Sequence, residues 1–303
     1  MDHRGGQRMT LEEKLAGWTG PSSDTEQEKQ ERTVRMIREA IQAHEPFEGC
    51  SLSVYAKGSY PNNTNVRQES DVDIAVQCHE AMYWKEAAPG AHPPSVAYSG
   101  PWTPAALRRE VTAALEAKFP GQLDTSGSTA VKVYSASARV DADVTPCFDY
   151  RYYFEGGSYR DGTRIVRMDG VHLENFPGQH LANGRAKNNR TGRNFKRVVR
   201  ILKRVEYAMV ADGYHDEVPS FFIECLAYNC ADAIFARSDW ASRVKGVLAT
   251  VYEALEGPES EDSSERWNQV DECLYLFFPR QKWTRETGRD YAYAAWTYLG
   301  LSS

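Results

Sequence analysis

Paired cysteines, long apolar runs, internal repeats and a basic excess are all missing from this sequence. Its six cysteines, at 50, 78, 147, 225, 230 and 273, are scattered with no C-x-x-C pair. That spacing excludes a structural zinc site of the usual kind and a disulfide framework. Reduced, buried thiols are the expectation instead. Nowhere do 18 apolar residues run together, and the N-terminus has no apolar signal core. A cytoplasmic chain that does not span a membrane is therefore expected. The formal net charge of -6 argues against a bulk nucleic-acid binder, which needs a basic surface, though it leaves room for a local basic patch.

What is present is enough for a sizeable core: 303 residues, 41% hydrophobic and 26% charged. Length alone allows one large domain or two modest ones. Leu11, Leu15 and Trp18 are anchors in an otherwise polar start, and Ser23 to Glu26 reads as a capping box opening a helix to about His44. Leu52 to Ala56 alternates as a strand, residues 85–104 read as a loop, and Pro104 to Phe119 has helical spacing. Ala130 to Tyr134 and Ala138 to Val144 are strand-like, and Gly156-Gly157 sits between two runs able to form a hairpin. From about residue 175 the pattern is helical: Thr191 to Val210, Pro219 to Phe235, Asp239 to Glu256, Arg266 to Phe278 and Arg285 to Leu299. The expected division is a mixed α/β half, 1–174, and an all-helical half, 175–303.

The chemistry gathers around Lys57-Gly58-Ser59, eleven polar-loop residues, then Asp71-Val72-Asp73-Ile74. Side chains alternate along a strand, so Asp71 and Asp73 share one face while Val72, Ile74 and Val76 share the other. Two adjacent carboxylates resist burial unless a positive charge lies between them, and hard oxygen ligands suit Mg²⁺ carried by a nucleotide's phosphates. A Gly-Ser turn at this distance can approach phosphate oxygens, with the Ser59 amide and hydroxyl as donors. Arg139 to Val144 repeats the pattern with Asp141 and Asp143 on one face. Three convergent carboxylates on adjacent strands are what two-metal phosphoryl transfer requires. Between Arg185 and Arg204 lie nine basic residues and no acidic one, and Lys196, Arg200 and Lys203 fall on one helical face. This stripe is either a solvated face or a phosphate clamp. His172 and His180 read as structural, Asn188 and Asn189 as caps or base readers, and the Tyr291–Tyr298 aromatics as core packing.

Gly58-Ser59, the spacer, Asp71-Val72-Asp73 and a later strand Asp resemble the polymerase-β-type nucleotidyltransferase signature. The likeness is closer to the bacterial cGAS/DncV-like nucleotidyltransferases (CD-NTases). It is carried by Ser70-Asp71-Val72-Asp73-Ile74, Asp143-Val144-Thr145-Pro146, the Phe195–Lys203 run and Pro219-Ser220-Phe221. The resemblance implies an α+β fold: a polymerase-β-like core of mixed sheet and flanking helices plus a C-terminal helical domain, bilobed with the active site in the cleft. It implies an enzyme joining nucleoside triphosphates into a cyclic di- or oligonucleotide, with release of pyrophosphate, in antiphage (CBASS-type) signalling. Two Mg²⁺ ions per site are implied, with Mn²⁺ able to substitute. Asp71, Asp73 and Asp143 would be the catalytic and metal-holding carboxylates, with Asp141 a competitor for the third place. Asp143 is favoured because the family phrase puts its Asp before an apolar-x-Pro run. Gly58, Ser59, Lys196, Lys203 and Ser220 would contact the nucleotide. Implied partners are nucleoside triphosphates, a cyclic-nucleotide-activated effector and regulatory proteins, with no membrane and no stable nucleic acid. Transfer onto RNA or protein, and a silent NTP-binding sensor, are the competing readings.

Overall fold

Alternating apolar residues build a seven-stranded sheet, and the computed structural model describes residues 9–21, 23–66, 71–91, 98–279 and 281–301 of the chain. Ser70, with the end of the polar loop, and residues 92–97 of the expected 85–104 loop lie outside the described residues. The chain divides into two compact units: residues 22–62 with 67–181, and residues up to 21 with 63–66 and 182–303.

The first unit holds the whole sheet. Its strands are β1 (Leu52–Ala56), β2 (Val72–Glu86), β3 (Leu123–Asp124), β4 (Val131–Val133), β5 (Ala142–Tyr153), β6 (Tyr159–Val166) and β7 (His172–Asn175). The order is β1-β2-β5-β4-β3, with β6 pairing β5 and β7 pairing β6. Only β2 and β5 run parallel, with Asp73 opposite Asp143 and Val72 opposite Ala142; the other pairs are antiparallel. One face is apolar. Val72, Ile74, Val76, Val131, Val133 and Val144 bury against Ile37 and Ile41 and against Leu107, Val111 and Leu115. The first two belong to α2 (Asp24–Gln42), capped by Ser23, and the last three to α3 (Pro104–Lys118), capped by Thr103. Each such side chain contributes about 1.5–3 kcal/mol. The opposite face, carrying Asp71, Asp73 and Asp143, has only a small apolar cluster around Ala75, Cys147 and Ile165.

The second unit is helical. It contains α1 (Leu11–Gly17), most of α4 (Pro177–Arg190), α5 (Asn194–Ala211), α6 (Ser220–Tyr228), α7 (Asp232–Phe235), α8 (Trp240–Ala254) and α9 (Arg285–Tyr298). Its core is formed by Phe195, Val198, Val199, Leu202 and Met209 of α5 with residues of α6, α8 and α9, and Leu15 of α1 joins it. Tyr291 is buried there and its hydroxyl donates to the Leu202 carbonyl at 2.9 Å, which makes it core packing. No helix among the described residues is long and apolar enough to cross a membrane.

Several elements differ from expectation. While residues 138–141 belong to the β4–β5 connection, the end of the run 138–144 and most of the run 150–154 are parts of one strand, β5, with Pro146 inside it. Its missing N–H is tolerated because β4 pairing stops at Val144 and β6 pairing starts at Phe148. The expected helix 219–235 is two, separated at Asn229, whose amide donates to the carbonyls of Cys225 and Asn268. Arg266 to Phe278 is not helical. There the Asp271 carboxylate accepts from the amides of Cys273 and Leu274, Glu272 has a positive φ of 55°, and Asn268 bridges to Tyr275.

Candidate active site

The site begins with a turn that needs glycine twice over. Gly58 has φ +73°, a left-handed conformation that other residues enter at a cost, and a Cβ there would collide with Oδ2 of Asp73. Backbone and carboxylate are therefore in direct contact. The turn is tied to the strand by the Lys57 amide donating to the Asp73 carbonyl at 2.8 Å. It is braced from behind by Asn62, whose amide donates to the Gly58 carbonyl at 2.9 Å and lies 3.3 Å from Nε2 of His180. His180 thus bears on the turn through Asn62. Ser59 follows, half-buried, in the same turn.

The carboxylates are placed by register. Asp73 on β2 and Asp143 on β5 are direct partners, and Asp143 is in turn opposite Lys132 on β4. Burial pushes the Asp73 carboxyl above its ordinary range; the Lys57 ammonium opposes this and the Asp71 charge adds to it. Asp143 is raised by burial and by the charges of Asp71 and Asp73, against Lys132 and Lys57. These are acids held together with too little positive charge between them. Lys132 donates to Asp71 Oδ2 at 2.9 Å and lies 3.5 Å from Asp141 Oδ2. That hydrogen bond, with the charges of Asp71, Asp141 and Asp143, raises the Lys132 pKa against its burial.

Asp141 and Asp143 have different environments. Burial alone would raise Asp141, but the backbone amide and side chain of Ser135, together with Lys132, hold it below the usual carboxylate range. Asp141 is therefore committed to the β4–β5 connection. Asp143 has no such tether and faces Asp73.

The basic residues lie on the helical unit. Lys203 is 1% exposed and its ammonium reaches the Thr64 carbonyl at 3.1 Å, the Thr64 hydroxyl at 3.3 Å and Glu224 at 3.2 Å. Its donors are thus directed into a buried ion pair. Arg200 donates to the carbonyls of Thr19 and Asn63. Lys196 is different: burial pushes its ammonium down, Glu224 opposes this, and the like charges of Arg185 and Arg200 add to the effect. An anion would relieve that repulsion. Ser220 opens α6, with its hydroxyl 2.9 Å from that of Tyr207. Asn188 belongs to α4 and accepts from the Lys196 amide at 3.1 Å, so it caps the start of α5.

The sequence reading leaves Lys132 and Asn62 unmarked, and it marks Lys57 only as the start of the Gly58-Ser59 turn, without its charge acting on Asp73 and Asp143. For Lys132 the signal was present, since an isolated lysine between Val131 and Val133 faces away from the core that the valines enter. Asn62 had none, because its role depends on a partner far away in sequence.

Residues 182–300 match the family model of the cGAS/DncV-like nucleotidyltransferase C-terminal helical domain. The chain is 35% identical to a cyclic dipyrimidine nucleotide synthase, CdnE, of Cecembia lonarensis, over 95% of this chain and 98% of that one. The structure of the Elizabethkingia meningoseptica CdnE cyclic dinucleotide synthase with GTP and Apcpp aligns with a TM-score of 0.79 at 30% identity, covering 95% of this chain and 98% of that one. The Rhodothermus marinus CdnE c-UMP-AMP synthase with Apcpp and Upnpp aligns with a TM-score of 0.82 at 25% identity, covering 96% and 98%.

Proposed function

This chain belongs to the cGAS/DncV-like nucleotidyltransferases, a generally metal-dependent family, and we propose how its own residues carry that activity. It is a cyclic nucleotide synthase, joining nucleoside triphosphates and releasing pyrophosphate. The observation that carries the site assignment is the Asp73–Asp143 pair on parallel strands, pressed against a Gly58 turn with no side chain.

The donor set fits hard divalent cations. Asp71, Asp73 and Asp143 bring carboxylate oxygens to this face, beside the Lys132 ammonium, and burial and like charge already raise Asp73 and Asp143. Asp71, Asp73 and Asp143 would hold two Mg²⁺ ions, or Mn²⁺ in their place. When bound, such ions lower the pKa of the attacking hydroxyl and neutralise charge on the triphosphate. The protein's own residues do the rest. Gly58 lets the turn approach the phosphates, and Ser59 supplies an amide and a hydroxyl as donors. Lys196, crowded by Arg185 and Arg200, takes a phosphate charge, with Ser220 at the N-terminus of α6. Lys203 supports that region through Thr64 and Glu224, and it contacts the nucleotide only if this buried pair opens. A pocket of about 360 Å³, lined by Tyr55, Lys57, Gly58, Gln77 and Thr163 among others, lies beside the turn and would admit part of a nucleotide.

The named products of the relatives differ, a dipyrimidine for the Cecembia enzyme and c-UMP-AMP for the Rhodothermus enzyme, so base choice follows from an assay with all four NTPs. The product is a second messenger in antiphage signalling, read by a cyclic-nucleotide-activated effector. Protein with Mg²⁺ and mixed NTPs should form phosphatase-resistant products that Asp73→Asn abolishes. Extension of labelled RNA, or NTP binding with no product in any mixture, would refute this reading.

A further inference from the structure

The most unusual contact in the site is an ammonium lodged among its carboxylates. Lys132 cannot turn to the other face of the sheet, because Val131 and Val133 on either side of it are fully buried in the core. Its cross-strand partners are Asp143 on β5 and Asp124 on β3, and its Nζ lies 2.9 Å from Asp71 Oδ2 and 3.5 Å from Asp141 Oδ2. Asp141 is already held by the Ser135 amide, so Asp71 is the acid whose position depends on Lys132. Among the described residues, no three His, Cys, Asp or Glu side chains converge closely enough to hold a metal ion in this arrangement.

We propose that Lys132 is an internal counter-ion that draws Asp71 out of the metal-holding set, so that a divalent cation loads by displacing the Lys132 ammonium. The inference rests on the assignment of Asp71, Asp73 and Asp143 as the metal-holding carboxylates. The pair is poised to exchange. Both side chains are about one-third exposed, at 33% and 37%, and ion pairs of that exposure are worth little. A doubly charged ion outcompetes a single ammonium at the same oxygens once other ligands assist it. The nucleotide's phosphates supply those ligands, and they also offer the released ammonium a new anion. The enzyme therefore binds metal weakly when alone and loads it together with its substrate. Lys132 is a positioning residue acting through Asp71.

The test is Mn²⁺ titration of the full chain without nucleotide, with free Mn²⁺ followed by electron paramagnetic resonance. Wild type, Lys132→Met, Asp71→Asn and the double variant form a cycle, each checked by thermal melt, with Lys132→Gln replacing the methionine variant should that one fail to fold. Lys132→Met should tighten Mn²⁺ about tenfold, whereas in the Asp71→Asn background the same change should shift it by less than about threefold, because no pair remains to be broken. Equal tightening in both backgrounds would show a plain charge effect and overturn the proposal, as would no tightening at all. A parallel titration with a non-hydrolysable NTP separates the two levels. Mn²⁺ binding with nucleotide but no dependence on Lys132 overturns this inference alone. No Mn²⁺ binding by any variant, with or without nucleotide, overturns the carboxylate assignment as well.

Discussion

Replacing Gly58 by alanine probes the contact between turn and carboxylate with a single methyl group. Two costs follow from the structure. The first is conformational: at φ +73° a Cβ-bearing residue is strained by about 1–2 kcal/mol. The second is steric, since the new methyl would lie on Asp73 Oδ2 and the carboxylate must swing aside. A shift of about 1 Å in a reacting constellation costs on the order of 100-fold in rate. The strain alone lowers the melting temperature by about 2–8 °C, at about 2–4 °C per kcal/mol for a domain of this size. Gly157→Ala supplies the control, because that residue has φ +84° but nothing within 4 Å of the added Cβ. It should lose comparable stability and keep its activity. Pyrophosphate release and thermal melting of both variants decide the matter. Gly58→Ala working within about threefold of wild type, or Gly157→Ala losing as much activity as Gly58→Ala, would refute the reasoning.

Further outcomes follow from the electrostatics. Asp143 has a raised folded-state pKa, so its ionised form costs stability above the unfolded value of about 3.9; Asp143→Asn should melt no lower than wild type at pH 7, with any gain fading near pH 4. Asp141 is held low, so its contribution is present above the unfolded pKa and is lost as pH falls through the folded one; Asp141→Asn should cost about 1 kcal/mol at neutral pH in a denaturant melt. Lys203→Met strands Glu224 in the core and should cost about 3–5 kcal/mol in the same measurement, with Glu224→Leu added to it restoring much of the loss. Glu110 is held low by hydrogen bonds from His44 and Arg109, so Glu110→Gln should lower the melting temperature at pH 7 and converge with wild type once the pH falls below both carboxyl values.

Much of the sheet unit was legible because its signals are local. Leu52–Ala56 is the strand that alternation marked, Pro104 opens α3, and Gly156-Gly157 turns the β5–β6 hairpin. The Asp71–Asp73 pair needed only a period of two. The helix α4 was missed because Pro177 to Arg190 carries few apolar residues and two glycines, and so shows no apolar stripe. Arg266 to Phe278 misled for the converse reason: Val270 and Phe277 have helical spacing, but they bury from an irregular segment whose amides are bonded by Asp271 and Asn229. Burial of Lys203 was unreadable, since the partners that hold it, Thr64 and Glu224, lie on segments far from it in sequence. The different commitments of Asp141 and Asp143 turn on Ser135 and Lys132, which only cross-strand register brings together with them.

Which carboxylates meet the metal is decided by removing the charge of each in turn. Wild type, Asp143→Asn and Asp141→Asn, each with Mg²⁺ and all four NTPs, should be compared by mass spectrometry of the phosphatase-resistant product. Asp143→Asn is expected to form none, while Asp141→Asn retains a substantial share of the wild-type yield. Product from Asp143→Asn but none from Asp141→Asn would contradict the assignment, and no product from wild type in any mixture would contradict the proposed activity itself.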